Sequence, residues 1–199
     1  MDLTKEMRRN KTILVVLDEK QYEDKIIEIV RSLGKVDKKI CYLCFNKTYK
    51  DMIEDLKNQN IDVKKFFFID VLSSYYKRQE PRENCIFIPT PTDTVSIMKA
   101  LTKAVKEKGC EVVVFDTIST FLIYKQNYLV LKFAYKLLQE HLRDKRSILI
   151  TLRGGDLLNK EREALIKDLS MFADVSIVIE SERKKDFSDK MLSIIMYMI

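Results

Sequence analysis

Only four glycines occur in 199 residues, against roughly fourteen at the usual frequency of about 7%. They are Gly34, Gly109, Gly154 and Gly155. No arrangement of them makes G-x-x-x-x-G-K-S/T, the loop whose backbone N–H groups cradle nucleotide phosphates. Histidine is scarcer still. His141 stands alone, so no Ser-His-Asp or Cys-His pair can be assembled from any other position. It falls late in an expected helix, where an imidazole interacts with the C-terminal dipole. No segment approaches the ~20 apolar residues of a membrane span. The charged start MDLTKEMRRN lacks the apolar stretch of a signal peptide, and the nine-residue ending MLSIIMYMI suits a buried final strand. A cytoplasmic protein without a membrane partner is expected.

What is present describes a soluble globular chain, 46% hydrophobic and 33% charged, with net charge +6. Its 36 basic and 30 acidic residues are interspersed. The patches Arg8, Arg9, Lys11 and Arg183, Lys184, Lys185 read first as solvated surface and second as nucleic-acid contacts. Abundant Lys and Ile lean toward a thermophilic source. Cys41 and Cys44 form a C-x-x-C pair, but ICYLCF reads as a strand, where residues three apart face opposite ways. Buried reduced thiols are therefore expected, rather than a zinc or redox site.

Short β-rich runs alternate with amphipathic helices. Strands are expected at Ile13–Leu17, Ile40–Phe45, Phe66–Asp70, Cys85–Ile88, Val112–Phe115, Ile148–Thr151 and Val175–Ile179, with Met191–Met198 closing. Most are continuous apolar runs, the pattern of strands buried on both faces of a parallel sheet. Helical stripes recur at Tyr22, Ile26, Val30, Leu33; at Tyr49, Met52, Ile53, Leu56; and at Ile97, Leu101, Ala104, Val105. Gly34 and Gly109 read as stop signals. Further helices are expected over 127–142 and 157–171, and an exposed loop over 73–84. In such folds ligands bind at the carboxyl ends of the strands. Those ends carry Asp18–Glu19, Asn46–Lys47, Asp70, Thr90, Thr92, Asp116–Thr117 and Arg153.

From residue 39 to 180 the order of features resembles the RecA superfamily, most closely its KaiC- and RadA-like ATPases. FFFIDVLSS (66–74) matches an ILDAS-like motif. VVVFDTIST (112–120) is similar to the Walker B strand, with Asp116 and Thr117 as its carboxylate and hydroxyl. SILITL (147–152) and FADVSIVIES (172–181) follow in the family's order. The resemblance implies a three-layer RecA-like α/β sandwich, with a mainly parallel β-sheet flanked by helices, as a single domain over residues 1–199.

Two departures bear on function. The connection that should hold the phosphate loop reads VVLDEKQYED (15–24), with no glycine and no Lys-Ser or Lys-Thr pair. The positions aligned with the family's catalytic glutamates are Asn46 and Lys47. An amide cannot accept a proton, and an unperturbed lysine is already protonated at neutral pH. The expectation is a non-enzymatic, regulatory or scaffolding homologue without a cofactor. It would self-associate or pair with an intact RecA-like ATPase, and Asp116 and Thr117 would be a vestigial Walker B pair. One alternative is residual affinity for Mg-nucleotide. The other is a receiver-like phosphoacceptor domain, because the first strand and helix (12–34) also resemble a receiver's start. In that reading Asp18 and Glu19 bind Mg²⁺, Asp70 takes the phosphoryl group and Thr90 is the switch hydroxyl. A receiver also needs a lysine after its fifth strand, and none occurs before Lys125. LRGGD (152–156) offers an anion-binding turn with Arg153, or a plain turn with Asp156 as helix cap. Arg78 and Arg82 lie on the long loop.

Overall fold

In the computed structural model, which describes residues 3–154 and 158–179, seven apolar runs become strands. They are β1 (Thr12–Asp18), β2 (Ile40–Cys44), β3 (Phe66–Asp70), β4 (Cys85–Phe87), β5 (Val112–Asp116), β6 (Arg146–Arg153) and β7 (Val175–Ile179). They form one sheet in the order β4-β3-β2-β5-β6-β1-β7. Every pairing between them is parallel. Crossover helices make this possible, since parallel neighbours cannot be joined by a tight turn. The helices are α1 (Leu3–Arg9), α2 (Tyr22–Gly34), α3 (Tyr49–Asn58), the single turn α4 (Ser73–Tyr76), α5 (Thr94–Lys106), α6 (Asn127–Lys136) and α7 (Asn159–Ser170).

Side chains alternate across each strand, and this alternation builds two cores. Leu14, Val16, Leu43, Ile69, Val113, Phe115 and Leu149 pack with Ile97, Leu101, Phe133, Leu165 and Leu169 of α5, α6 and α7. Val15, Leu17, Tyr42, Phe68, Val114 and Ile150 face the other way, onto Leu3, Ile26, Val30, Met52 and Leu56 of α1, α2 and α3. Each fully buried side chain of this size contributes about 1.5–3 kcal/mol. Continuous apolar strands are thus explained by two helical layers. Cys41 belongs to the first core and Cys44 to the second. All four cysteines are buried and free.

Several expected boundaries move. β6 is longer than Ile148–Thr151, because Ser147 and Arg153 pair with Thr12 and Asp18 of β1. The helix expected over 127–142 leaves the α form after Lys136 and continues as one wide π-type turn, Leu137–His141. There Leu142 N–H donates to Leu137 C=O at 3.0 Å, and Leu137, Leu138 and Leu142 all join the core. The loop expected over 73–84 begins with α4. Gly109 has φ +71°, the left-handed conformation that ends α5. Gly34 is small for a different reason: an added Cβ would lie 2.8 Å from Ile61 Cγ2. The closing strand 191–198, Asp156 and the patch 183–185 lie outside the described residues, as does the side chain of His141.

Candidate functional site

β3, β2 and β5 end in register, with Asp70, Cys44 and Asp116 side by side. Asp116 has no solvent exposure. Its Oδ2 accepts a hydrogen bond from Tyr22 Oη at 2.7 Å and a second, very short one from Tyr42 Oη. Tyr42 pairs with Val114, so Asp116 lies two residues further along β5 on the same face. Tyr22 opens α2 after a tight turn at Glu19–Gln21, which Asp18 caps by accepting from Lys20 N–H at 2.9 Å. β6 stands between β1 and β5, so Tyr22 reaches across one intervening strand, about 10 Å of sheet. Asp116 Oδ1 has no hydrogen-bond partner among the described residues. The Asp116–Thr117 peptide bond is cis.

Burial dominates the electrostatics. It raises the Asp116 carboxyl to about 6, against the pull of the two tyrosine hydroxyls and of Lys47. Burial first, and the Asp116 charge second, push the Tyr22 and Tyr42 hydroxyls up, while a bond with Asn46 draws Tyr22 back slightly. Cys44 is raised by burial and by the flanking charges of Asp70 and Asp116, so it offers no thiolate. Of the other thiols, burial raises Cys41, while a hydrogen bond with Cys41 lowers Cys110.

Lys47, one of the two positions aligned with the expected base, is a strut. Its Nζ sits 2.5 Å from Glu23 Oε2 on α2 and 2.9 Å from Asp55 Oδ2 on α3. Burial opposes its charge, but these two carboxylates outweigh it and raise its pKa. The lysine is held protonated and cannot act as a base. Asn46 donates its backbone N–H to Asp116 C=O at 3.0 Å. Thr117 turns away from Asp116 and pairs with Thr120 Oγ1 at 2.7 Å. Ser119 Oγ accepts from Leu152 N–H at 3.0 Å. Thr90 and Thr92 bond to each other at 3.1 Å.

The receiver reading fails on topology. β6, β5 and β2 separate the Asp18 end of β1 from the Asp70 end of β3, about 19 Å of sheet. One Mg²⁺ cannot bridge them. Asp70 is also fully engaged as a cap. Its Oδ1 accepts from the N–H groups of Leu72 and Ser73, both at 2.8 Å, and its Oδ2 from Tyr49 N–H at 2.7 Å and Ser73 Oγ at 2.6 Å.

Arg153 lies 3.0 Å from Glu163 Oε1, and Gly155 of LRGGD lies outside the described residues. Arg162 of α7 is a buried charged position beside the site that the sequence patterns do not single out. Its guanidinium is almost fully buried and clamps Glu19 Oε2 at 2.7 Å and Gly154 C=O at 3.2 Å. A sequence signal existed: Arg162 continues the buried stripe Leu165, Ile166, Leu169 of α7. Tyr22 counts as part of an apolar stripe and Tyr42 as part of an apolar run, although a buried Tyr hydroxyl needs a partner. No cluster of three or more His, Cys, Asp or Glu side chains suited to a metal occurs among the described residues. No helix among them is long and apolar enough to cross a membrane.

This all-parallel sheet between two helical layers, with β6 between β1 and β5, matches a RecA-like α/β fold. Solved structures that share it include two from Pyrococcus horikoshii. One is a KaiC-like protein from the hyperthermophilic archaeon Pyrococcus horikoshii OT3, 14% identical, covering 88% of this chain and 74% of its own, with TM-score 0.56. The other is an uncharacterised P. horikoshii protein in complex with an unknown peptide, 14% identical, covering 92% and 85%, with TM-score 0.67. No family profile matches the chain. The lovastatin nonaketide synthase polyketide component of Aspergillus terreus is 35% identical over 54 residues, which are 27% of this chain and 2% of that relative's length.

Proposed function

We propose that this chain is a non-catalytic RecA-like protein that acts by associating with other proteins. In this reading its partner is either a second copy or an intact RecA-like ATPase. The observation that carries the reading is the Tyr22–Asp116–Tyr42 cluster. A nucleotide-bound Mg²⁺ needs a carboxylate open to the phosphates, whereas Asp116 is sealed and spends its Oδ2 on two hydroxyls. The β1–α2 connection is a tight turn carrying Asp18 and Glu19, which sets negative charge where a phosphate loop would offer N–H donors. The residues present therefore do not fit a Mg-nucleotide.

Support for association comes from the surface. Tyr75, Tyr76, Ile123, Tyr124 and Tyr128 are exposed, Tyr76 by 81%. Tyr75 and Tyr76 pack edge to face at 5.4 Å, and Tyr124 lies close enough to feel both. An aromatic cluster of this kind suits a protein interface. The peptide bound by one P. horikoshii neighbour is a precedent for polypeptide binding on this fold. The experiment is a thermal melt with and without ATP or ADP plus Mg²⁺, paired with sedimentation velocity. We expect no nucleotide-induced shift, and a discrete oligomer or a heteromer with the organism's intact ATPase. A stabilisation of several degrees that Asp116→Asn removes, or ATP turnover, would sink the proposal.

A further inference from the structure

On the face of the sheet opposite Tyr22 and Tyr42, α5 and α6 flank a groove of 480 Å³, inside the ~300–1,000 Å³ range of small-molecule sites. Phe121 and Phe133 are buried at its floor. Val95 and Met98 of α5 form one wall and Leu129 of α6 the other, with Val95 63% and Leu129 37% exposed. Along α5 the lining runs from Thr94 to Thr102, about 12 Å of helix. Its charged residues are all lysines: Lys99 on the α5 wall, Lys132 and Lys136 on the α6 wall, and Lys125 at one end. Two carboxylates lie nearby but outside it. Asp93, the cap of α5, feels Lys99, and Glu161 shares with Lys125 a neighbouring dip.

We infer that this groove binds a medium-chain amphiphilic carboxylate, with its apolar tail on Phe121 and Phe133 and its anionic head between Lys99 and Lys132. Charge complementarity selects the head group, because no acidic side chain among the described residues lines the groove. The aromatic floor selects the tail. This site is separate from the Tyr22–Asp116–Tyr42 cluster, and the inference stands whether or not the chain associates with an ATPase.

Isothermal titration with octanoate, decanoate and dodecanoate tests it. Decanoate should bind saturably at one site per chain. The dissociation constant should fall about fourfold per added methylene until the groove is filled, and rise with salt. Decyltrimethylammonium, with the same tail and the opposite charge, should not bind. The Lys99→Glu/Lys132→Glu pair should weaken decanoate roughly tenfold. Leu129→Glu should abolish binding, and Val95→Glu on the facing wall is the second variant if that one misfolds. Lys106→Glu, on α5 but outside the groove, should bind like the parent. Absence of saturable decanoate binding at millimolar concentration, equal uptake of the cation, or indifference to both wall variants would overturn the assignment.

Discussion

Asp116→Asn should flatten the pH dependence of stability. Burial holds the folded carboxyl at about 6, against an ordinary value of 3.8. Between these values the folded chain keeps the proton and the unfolded chain has lost it. The unfolded state therefore binds fewer protons, and stability falls as pH rises. The contribution is fully present below about pH 3.8 and lost as pH passes through about 6. A difference of about 2 units corresponds to about 3 kcal/mol, a large share of the ~5–15 kcal/mol that holds a domain folded. The groups that set the titration are Tyr22 and Glu23 on α2, Tyr42 on β2, and Lys47. The amide that replaces the carboxyl keeps an oxygen to accept from the tyrosines but has nothing to titrate. Urea unfolding followed by circular dichroism at intervals from pH 4 to 7.5 gives both profiles, and other carboxylates cancel in their difference. Relative to the parent, Asp116→Asn should gain about 3 kcal/mol across that range. Parallel profiles, or a gain toward low pH, would refute the buried-carboxylate account.

Three further outcomes follow from the same geometry. Tyr22→Phe removes one of the two donors to Asp116 and should cost about 1–3 kcal/mol at pH 7.5, with a smaller loss at pH 4, where the carboxyl is protonated; equal losses at both pH values would count against it. Asp70→Ala strips the acceptor from three backbone N–H groups and Ser73, and should cost at least ~2 kcal/mol by urea denaturation. Gly109→Ala should cost about 1 kcal/mol through its positive φ alone, because nothing lies within 4 Å of the added Cβ; an unchanged melting temperature would contradict the cap.

Much of the fold was legible for one physical reason, that burial on both faces leaves an unbroken apolar run. Phe66–Asp70 agrees with β3 to the residue, and β7 begins at Val175 as expected. Boundaries set by partners were not legible. Arg153 is in β6 only because Asp18 of β1 lies beside it, and no local propensity encodes a neighbour more than a hundred residues away. The π-type turn after Lys136 was hidden too, since nothing in LLQEH breaks a helix. It serves leucine packing, a tertiary demand that overrides local preference.

Asp116 itself could be read as a carboxylate at a strand's end, but its environment could not. Its two partners lie 94 and 74 residues away in sequence. Only the β2–β5 register places Tyr42 diagonally across from it, and the short turn Glu19–Gln21 brings Tyr22 within reach. The hydroxyls that follow it in sequence, Thr117, Ser119 and Thr120, looked like natural partners, yet they bond elsewhere. The short β1–α2 turn and the sealed carboxylate are then two sides of one arrangement. A chain that wrapped phosphates would hold the start of α2 away from β5. The three-residue turn Glu19–Gln21 instead starts the helix at once and delivers Tyr22 to Asp116. Adding glycines to that turn without removing Tyr22 would leave Asp116 sealed. Both must change together before Asp116 could meet a metal.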